Sequence, residues 1–227
     1  MKLTYYGQSS FGLETQGSHL IFDPMISGNE LAAAIDINNL PADYVLLSHG
    51  HGDHVADAEA IVKRTGAKII SNYEIVSWYG AKGLENGHPL NHGGKWSFDF
   101  GTVKYVNAVH SSMLPDQSYG GNPGGFVIWN AEKSFYFAGD TALTLDMKLI
   151  PMTCPKLDFA ILPIGDNFTM GYEDAVLAAE FIDCDKIIGC HYDTFGYIKI
   201  DHAAAKAAFA KKGKELILMD IGATISV

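Results

Sequence analysis

The segment from His49 to His54 most narrowly constrains what this 227-residue chain can fold into. It places three imidazoles and one carboxylate within six residues, directly after the apolar run Tyr44–Leu47. Such a run is typical of a buried strand, so the cluster stands where a strand ends and the chain turns. Imidazole and carboxylate groups bind zinc and related divalent ions. The segment therefore predicts a metal site, with a solvated histidine-rich turn as the alternative.

Three later strand ends carry further side chains that can bind metals. His110 follows the apolar run 102–109, Asp140 follows the run 134–138 and His191 follows the run 186–189. Rigid strands commonly hold functional residues at such positions. Together with the first cluster they give seven candidate ligands, enough for two metal ions: His49, His51, Asp53, His54, His110, Asp140 and His191.

We expect one domain over residues 1–227, because no linker, short repeat or low-complexity tract interrupts the chain. Strands are expected at Lys2–Tyr6, Phe11–Thr15, His19–Phe22, Tyr44–Leu47, Lys68–Ser71, Trp96–Phe100, Thr102–Ala108, Gly125–Trp129, Ser134–Ala138, Leu157–Pro163 and Lys186–Cys190. Helices are expected at Asp57–Lys63, Glu74–Ala81, Ala142–Leu149, Glu173–Ile182 and His202–Lys212, the last capped by Asp201. This order predicts an α/β (α+β) fold of two mixed sheets packed face to face, with helices outside.

Charge and composition exclude several classes of function. The chain has 26 acidic and 16 basic residues, a formal net charge of −10, so nucleic acid is not expected as a partner. It contains no apolar run of eighteen residues, so no membrane span is expected. Three cysteines without a CxxC pair indicate a reducing compartment and therefore the cytoplasm. Pattern alone cannot distinguish an apolar interface from a core, so a homo-oligomer stays open.

The order of the candidate ligands resembles the five-motif pattern of the metallo-β-lactamase superfamily. The matching residues are His49-x-His51-x-Asp53-His54, then His110, Asp140 and His191. Asp23, in the run Ile21-Phe22-Asp23-Pro24, matches the earliest motif of that superfamily. Three stretches are also similar to small single-domain metal-dependent hydrolases related to ascorbate-phosphate lactonase: Ala108–Ser112, Pro163–Gly171 and His191–Phe195.

This resemblance implies a four-layer αββα sandwich with two metal ions in a groove at one edge. It assigns His49, His51 and His110 to the first ion. It assigns Asp53, His54 and His191 to the second ion, with Asp140 bridging both. Asp23 would lie beside the ligands and accept an imidazole N–H, which fixes the tautomer of that histidine.

The activity implied is hydrolysis of a small-molecule ester, lactone or phosphoester by hydroxide bound to the two metals. Asp53 and Asp140 are the expected catalytic residues. Asp140 would bridge the two ions, and Asp53 could orient the nucleophile in addition to binding a metal. Zn²⁺ is the expected ion, although the ligands also suit Mn²⁺, Fe²⁺ and Ni²⁺. The alternatives are an iron-dependent redox enzyme of the same fold and a metal-binding protein without turnover.

Several other residues are weaker candidates. Asn167 and Tyr192 adjoin the motifs, and His92 lies in a Gly-rich segment with His88, which we expect at the surface. Asn167, Tyr192 and His92 are the candidate substrate contacts. Ser111 and Ser112 follow a candidate ligand, where a serine more often hydrogen-bonds its loop than acts as a nucleophile.

Overall fold

Two seven-stranded sheets form the centre of the protein, whose computed structural model describes residues 1–227. The first sheet has the order β14-β1-β2-β3-β4-β5-β6. Its strands are β1 Lys2–Gly7, β2 Ser10–Thr15, β3 Ser18–Phe22, β4 Tyr44–Leu46, β5 Lys68–Asn72, β6 Gly87–Leu90 and β14 Thr224–Ser226. Strands β14 to β3 pair antiparallel, whereas β3 to β6 pair parallel.

The second sheet repeats this mixed plan in the order β13-β12-β11-β10-β9-β8-β7. Its strands are β7 Lys95–Phe98, β8 Gly101–Asn107, β9 Gly124–Trp129, β10 Ser134–Phe137, β11 Phe159–Pro163, β12 Lys186–Cys190 and β13 Glu215–Ile217. Strands β7 to β10 pair antiparallel, and β10 to β13 pair parallel. Strands β8, β10 and β12 therefore run in one direction, and their carboxyl ends lie at the same edge.

Helices cover the outer faces of both sheets. They are α1 Gly52–Val55, α2 Ala58–Thr65, α3 Tyr73–Ala81, α4 Leu149–Thr153, α5 Tyr172–Phe181 and α6 His202–Ala210. Short 3₁₀ turns occupy Glu30–Ala32, Ile37–Asn39, Leu145–Lys148 and Gly196–Ile198. Asp201 caps α6 as predicted, because its carboxylate accepts hydrogen bonds from the N–H groups of Ala203 and Ala204. No helix has the length and apolar character needed to cross a membrane.

Three apolar clusters hold the layers together. The central cluster lies between the sheets, where Phe11 and Phe22 of the first sheet contact Phe137 of the second with ring centroids 6.3 and 4.9 Å away. A second cluster joins the outer face of the second sheet to α5 and α6, and a third joins the first sheet to α2 and α3. The predicted four-layer αββα sandwich is confirmed.

Some predicted elements are wrong. The helix expected at Ala142–Leu149 is absent there: Thr144 caps the 3₁₀ turn Leu145–Lys148, and α4 begins at Leu149. No strand is predicted around His88, yet Gly87–Leu90 forms β6; it is an edge strand, where Pro89 is tolerated because no backbone donor is needed there. The edge strands β13 and β14 were not predicted, since three residues are too few for a clear alternation.

Candidate metal centre

The seven predicted ligands meet at one edge of the sandwich. His49 and His51 follow β4, and the short helix α1 then carries Asp53 and His54. From the second sheet, the ligands follow the parallel-running strands β8, β10 and β12. The site therefore joins the two sheets, since each contributes part of it.

The first ligand group consists of His49, His51 and His110. One ring nitrogen from each lies within 4.8 Å of the others. The ring centroids are 4.6 to 5.1 Å apart, and the rings are steeply inclined to one another. The three imidazoles therefore face a common point, as ligands of one ion do.

The second group consists of Asp53, His54, Asp140 and His191, whose ligand atoms also lie within 4.8 Å of one another. Asp140 Oδ2 is 3.0 Å from His191 Nε2 and 3.2 Å from His54 Nε2. The same oxygen is 3.6 Å from His110 Nε2 of the first group. Asp140 thus lies between the two groups.

Asp23 lies directly behind the centre. Its Oδ2 is 2.7 Å from His54 Nδ1, and its Oδ1 accepts a hydrogen bond of 2.7 Å from the Ser48 N–H. A carboxylate at Nδ1 keeps the proton on that nitrogen, so His54 Nε2 is free to face the centre. The structure thus brings Asp23 to the ligands as the sequence predicts.

Charges are balanced inside the centre by protons. Burial lowers the pKa of His49 well below its usual range. Burial would raise the pKa of Asp140, but His54 and His191 outweigh it and hold that pKa well below its ordinary value. Burial also opposes protonation of His191, but Asp140 and Asp53 outweigh it and raise its pKa to about 9. Metal ions would displace such protons from the imidazoles.

Several buried atoms of the cluster lack a hydrogen-bond partner. They are His49 Nε2, His54 Nε2, Asp140 Oδ1 and His191 Nδ1. A buried unpaired polar atom costs about 1–3 kcal/mol, so several in one cluster indicate that something outside the chain completes it. Imidazole nitrogens and carboxylate oxygens are ligands of Zn²⁺ and similar ions. The donor set therefore fits divalent metal ions.

Close backbone approach builds the site at two glycines. Gly139 precedes Asp140 with a φ of +62°, and a Cβ there would lie 2.6 Å from the Ser48 Cβ. A Cβ on Gly165 would lie 2.0 Å from the carbonyl oxygen of His191. Any larger residue at either position would push apart the loops that carry the ligands.

Sequence reasoning missed Gln8, which lies in the tight turn between β1 and β2. Its buried side chain donates from Nε2 to Asp53 Oδ2 at 3.0 Å, and its carbonyl accepts the His191 N–H at 2.9 Å. Gln8 therefore contacts segments that carry two of the ligands. The signal was weak, because a polar residue in a hairpin turn is ordinarily solvated.

The structure does not bring the three candidate substrate contacts to the centre. Tyr192 is buried and stacks on Tyr5 with centroids 6.5 Å apart, because its strand end turns it into the core. His92 Nε2 lies 2.8 Å from the Pro123 carbonyl oxygen, away from the ligands. Asn167 lies on an exposed turn beside the cavity without lining it.

The prediction that Ser111 and Ser112 hydrogen-bond their loop holds for only one of them. Ser112 Oγ accepts from the Gly50 N–H at 3.0 Å and donates to the Gly120 carbonyl at 2.9 Å, so it hydrogen-bonds its loop as expected. Ser111 instead faces the cavity, where its Oγ is 3.2 Å from His51 Nε2.

An open cavity of about 770 Å³ lies in front of the ligands. Its floor consists of His51, Asp53, His110, Asp140 and His191. Its wall consists of Ser111, Phe168, Thr194, Phe195, Gly196 and Tyr197. The volume is typical of a site for a small molecule.

Comparison with known protein families shows to which superfamily this arrangement of ligands belongs. The model of the beta-lactamase superfamily domain matches residues 2–191, which include all seven ligands. The chain belongs to this superfamily. Within the superfamily, a UPF0173 metal-dependent hydrolase of Christiangramia forsetii is 61% identical over 228 residues, covering 100% of both chains. The UPF0173 metal-dependent hydrolase YtkL of Bacillus subtilis is 44% identical over 233 residues, again covering 100% of both. The chain is thus a metal-dependent hydrolase of this superfamily.

Solved structures of other hydrolases share this fold. Igni18, a novel metallo hydrolase from the hyperthermophilic archaeon Ignicoccus hospitalis, is 34% identical with a TM-score of 0.89, covering 99% of this chain and 97% of that one. The isothiocyanate hydrolase from Delia radicum gut bacteria has a TM-score of 0.80 at 21% identity, covering 100% of this chain and 99% of that one. The second likeness shows the fold alone.

Proposed function

We propose that this metal-dependent hydrolase cleaves a small-molecule ester, lactone or phosphoester at a centre of two divalent ions. The observation that carries the proposal is the position of Asp140, whose Oδ2 lies within 3.6 Å of imidazole nitrogens from both ligand groups. One carboxylate between two ligand groups is the arrangement by which a protein joins two ions. Zn²⁺ is the ion we propose, because five imidazoles and two carboxylates suit it.

When bound, two such ions would supply a water whose pKa is lowered towards about 7, and would polarise the bond that is attacked. His49, His51 and His110 would hold one ion. Asp53, His54 and His191 would hold the other, with Asp140 shared between them.

The protein residues then orient the reactants. Asp53 faces the cavity and accepts the Gln8 hydrogen bond on Oδ2, so its carboxylate is fixed in direction. A fixed carboxylate beside the substrate can hold the attacking water and accept its proton.

All three cysteines are free, which supports a reducing, cytoplasmic location.

Metal content and activity together test the proposal. Purified protein is expected to carry about two ions per chain, and Asp140→Ala to lose both together with hydrolysis of lactones, esters or phosphodiesters. Glu14→Ala is the control, since that carboxylate is 48% exposed and pairs with Lys2, itself 62% exposed, at the surface. One ion per chain that survives Asp140→Ala would contradict the shared carboxylate.

Metal content and activity also distinguish the proposed hydrolase from the iron-dependent redox alternative. Over 54% of its length, the diiron β-hydroxylase CmlA of Streptomyces venezuelae shares this fold, with a TM-score of 0.78 at 13% identity. Bound iron with oxygen consumption, and no hydrolysis of the substrate panel, would replace the hydrolase proposal. A fully folded protein with metal and no turnover would favour a binding role.

A further inference from the structure

Three aromatic side chains form an exposed wall on the open side of the cavity. Phe168, Phe195 and Tyr197 are 49%, 41% and 80% exposed, although aromatic rings usually dominate the buried core. Phe168 and Tyr197 come from different loops yet meet edge to face, with ring centroids 6.3 Å apart. We name these three residues the aromatic wall.

Strained backbone presents Phe168 at this position. The two residues before it, Asp166 and Asn167, have φ angles of +61° and +57°. Left-handed conformations in residues other than glycine cost about 1 kcal/mol or more each and persist where the surrounding structure enforces them. The Asp166 carboxylate accepts the Asn167 N–H at 2.8 Å, which stabilises this turn. Phe168 is therefore held at the cavity by a defined turn.

The loop that carries Phe195 and Tyr197 is closed at its base. Asp193 Oδ1 accepts the Ile200 N–H at 3.1 Å, and Asp193 Oδ2 is 2.7 Å from His202 Nε2 on α6. The Asp193 N–H also donates to the Ile198 carbonyl at 2.8 Å. These contacts hold the two rings beside the ligands.

The cavity has no lysine or arginine side chain. None of its eleven lining residues is lysine or arginine, and its titratable groups are all candidate metal ligands apart from the Tyr197 phenol. Recognition of a carboxylate or phosphate away from the reacting bond ordinarily uses arginine or lysine. An anionic substituent away from the metal ligands would therefore find no lysine or arginine to pair with, in a chain of net charge −10.

From these contacts we propose that the substrate carries an uncharged aromatic or aliphatic group beside the scissile bond, and that the aromatic wall binds it. The proposal rests on the proposed hydrolytic function for its reaction and on the aromatic wall for its specificity. Burial of a phenyl ring against these side chains supplies binding energy in proportion to the apolar area covered.

Three esters with the same small leaving group test the specificity. They are the trifluoroethyl esters of phenylacetic, acetic and succinic acids. Their hydrolysis by the metal-loaded protein is monitored through the acid that is released. We expect kcat/KM for the phenylacetyl ester to exceed that for the acetyl ester by at least about tenfold. The succinyl ester, with its free carboxylate, is expected to be no better than the acetyl ester. A preference for the succinyl ester would overturn the proposal.

Variants assign the preference to the aromatic wall. Phe168→Ala, Phe195→Ala and Tyr197→Ala are each expected to lower the phenylacetyl-to-acetyl ratio by about threefold or more. The control is Trp96→Ala, which removes a ring that is 55% exposed on β7. Trp96 pairs with Val103 near the start of β8, whereas His110 follows the far end of that strand. The control variant should leave the ratio unchanged. A ratio that no wall variant changes would overturn the proposal, and so would a wall variant that alters only the oligomeric state.

Binding without turnover separates this proposal from the hydrolytic one. Saturation-transfer NMR with phenylacetamide and acetamide, both neutral and unreactive, should show binding of phenylacetamide that the wall variants weaken. Weakened binding without hydrolysis of any ester would support the aromatic wall and count against the proposed reaction. Hydrolysis without preference, and with no phenylacetamide binding, would support the reaction and overturn the aromatic wall.

Discussion

At the scale of single residues, contacts behind the ligands decide how the centre is arranged. Asp23 fixes the ring of His54 from one side, and Gln8 fixes the carboxylate of Asp53 from another. Neither Asp23 nor Gln8 lines the cavity. Both are buried, so the orientation they impose does not relax into solvent.

Asp23→Asn should weaken metal binding by about 10–100-fold, measured by competition with a chelator. The amide has the same shape, but only its oxygen accepts, so the His54 Nδ1–H and the Ser48 N–H can no longer both be satisfied and the preference for that tautomer weakens. Asp43→Asn is the control, because that exposed carboxylate pairs with His19 at the surface. Equal affinity in Asp23→Asn and the unchanged protein would show that Asp23 does not set the tautomer.

Gln8→Met should lower kcat for a hydrolysed ester by about tenfold and leave KM within about twofold, because a hydrogen bond to a charged group contributes about 1.5–3 kcal/mol. Gln16→Met is a matched control: its φ of +49° is close to the +52° of Gln8, and its side chain bonds Glu132 at the surface. If both variants lost activity equally, the effect would be one of backbone strain and not of Asp53 positioning.

At the scale of elements, strand ends fix the ligands and the loops between them set the distances. The run from β10 into Asp140 passes Gly139, which faces the loop after β4 at Ser48. This contact brings a ligand of the second sheet against ligands of the first. The separation of the loops therefore depends on one missing side chain.

Gly139→Ala should destabilise the fold by more than about 2 kcal/mol and reduce metal content, since strain at positive φ adds to a clash at 2.6 Å. Gly66→Ala isolates the strain, because its φ is +74° and a Cβ there meets nothing within 4 Å. That control should cost about 1 kcal/mol. Denaturant unfolding measures both, and equal losses would exclude the clash.

At the scale of the whole molecule, the centre joins the two sheets. Four ligands come from the loop and helix after β4, and three come from the second sheet. We therefore expect metal binding to stabilise the contact between the two sheets, in addition to the apolar cluster between them.

Removal of metal should lower the melting temperature, and in a pH-dependent way. In the metal-free protein the His191 pKa is raised to about 9, from about 6.5 in the unfolded chain. A raised pKa stabilises the fold fully below pH 6.5, and this contribution is lost as pH rises towards 9. Metal binding at pH 7 must displace the proton, so it should release protons and strengthen as pH rises. Calorimetry in two buffers of different ionisation enthalpy measures this proton release. Metal binding without any proton release would contradict the prediction.

The sequence by itself determined the ligand types, their order and the strands before them, because these depend on neighbouring residues and on apolar periodicity. The spacing His49-x-His51-x-Asp53-His54 is local, so its chemistry is readable without a structure. Only the tertiary structure decided that Gln8 bonds Asp53, 45 residues away, and that Tyr192 turns into the core. It alone brought Phe168 and Tyr197 together. Such contacts depend on how distant segments pack, which no local pattern encodes.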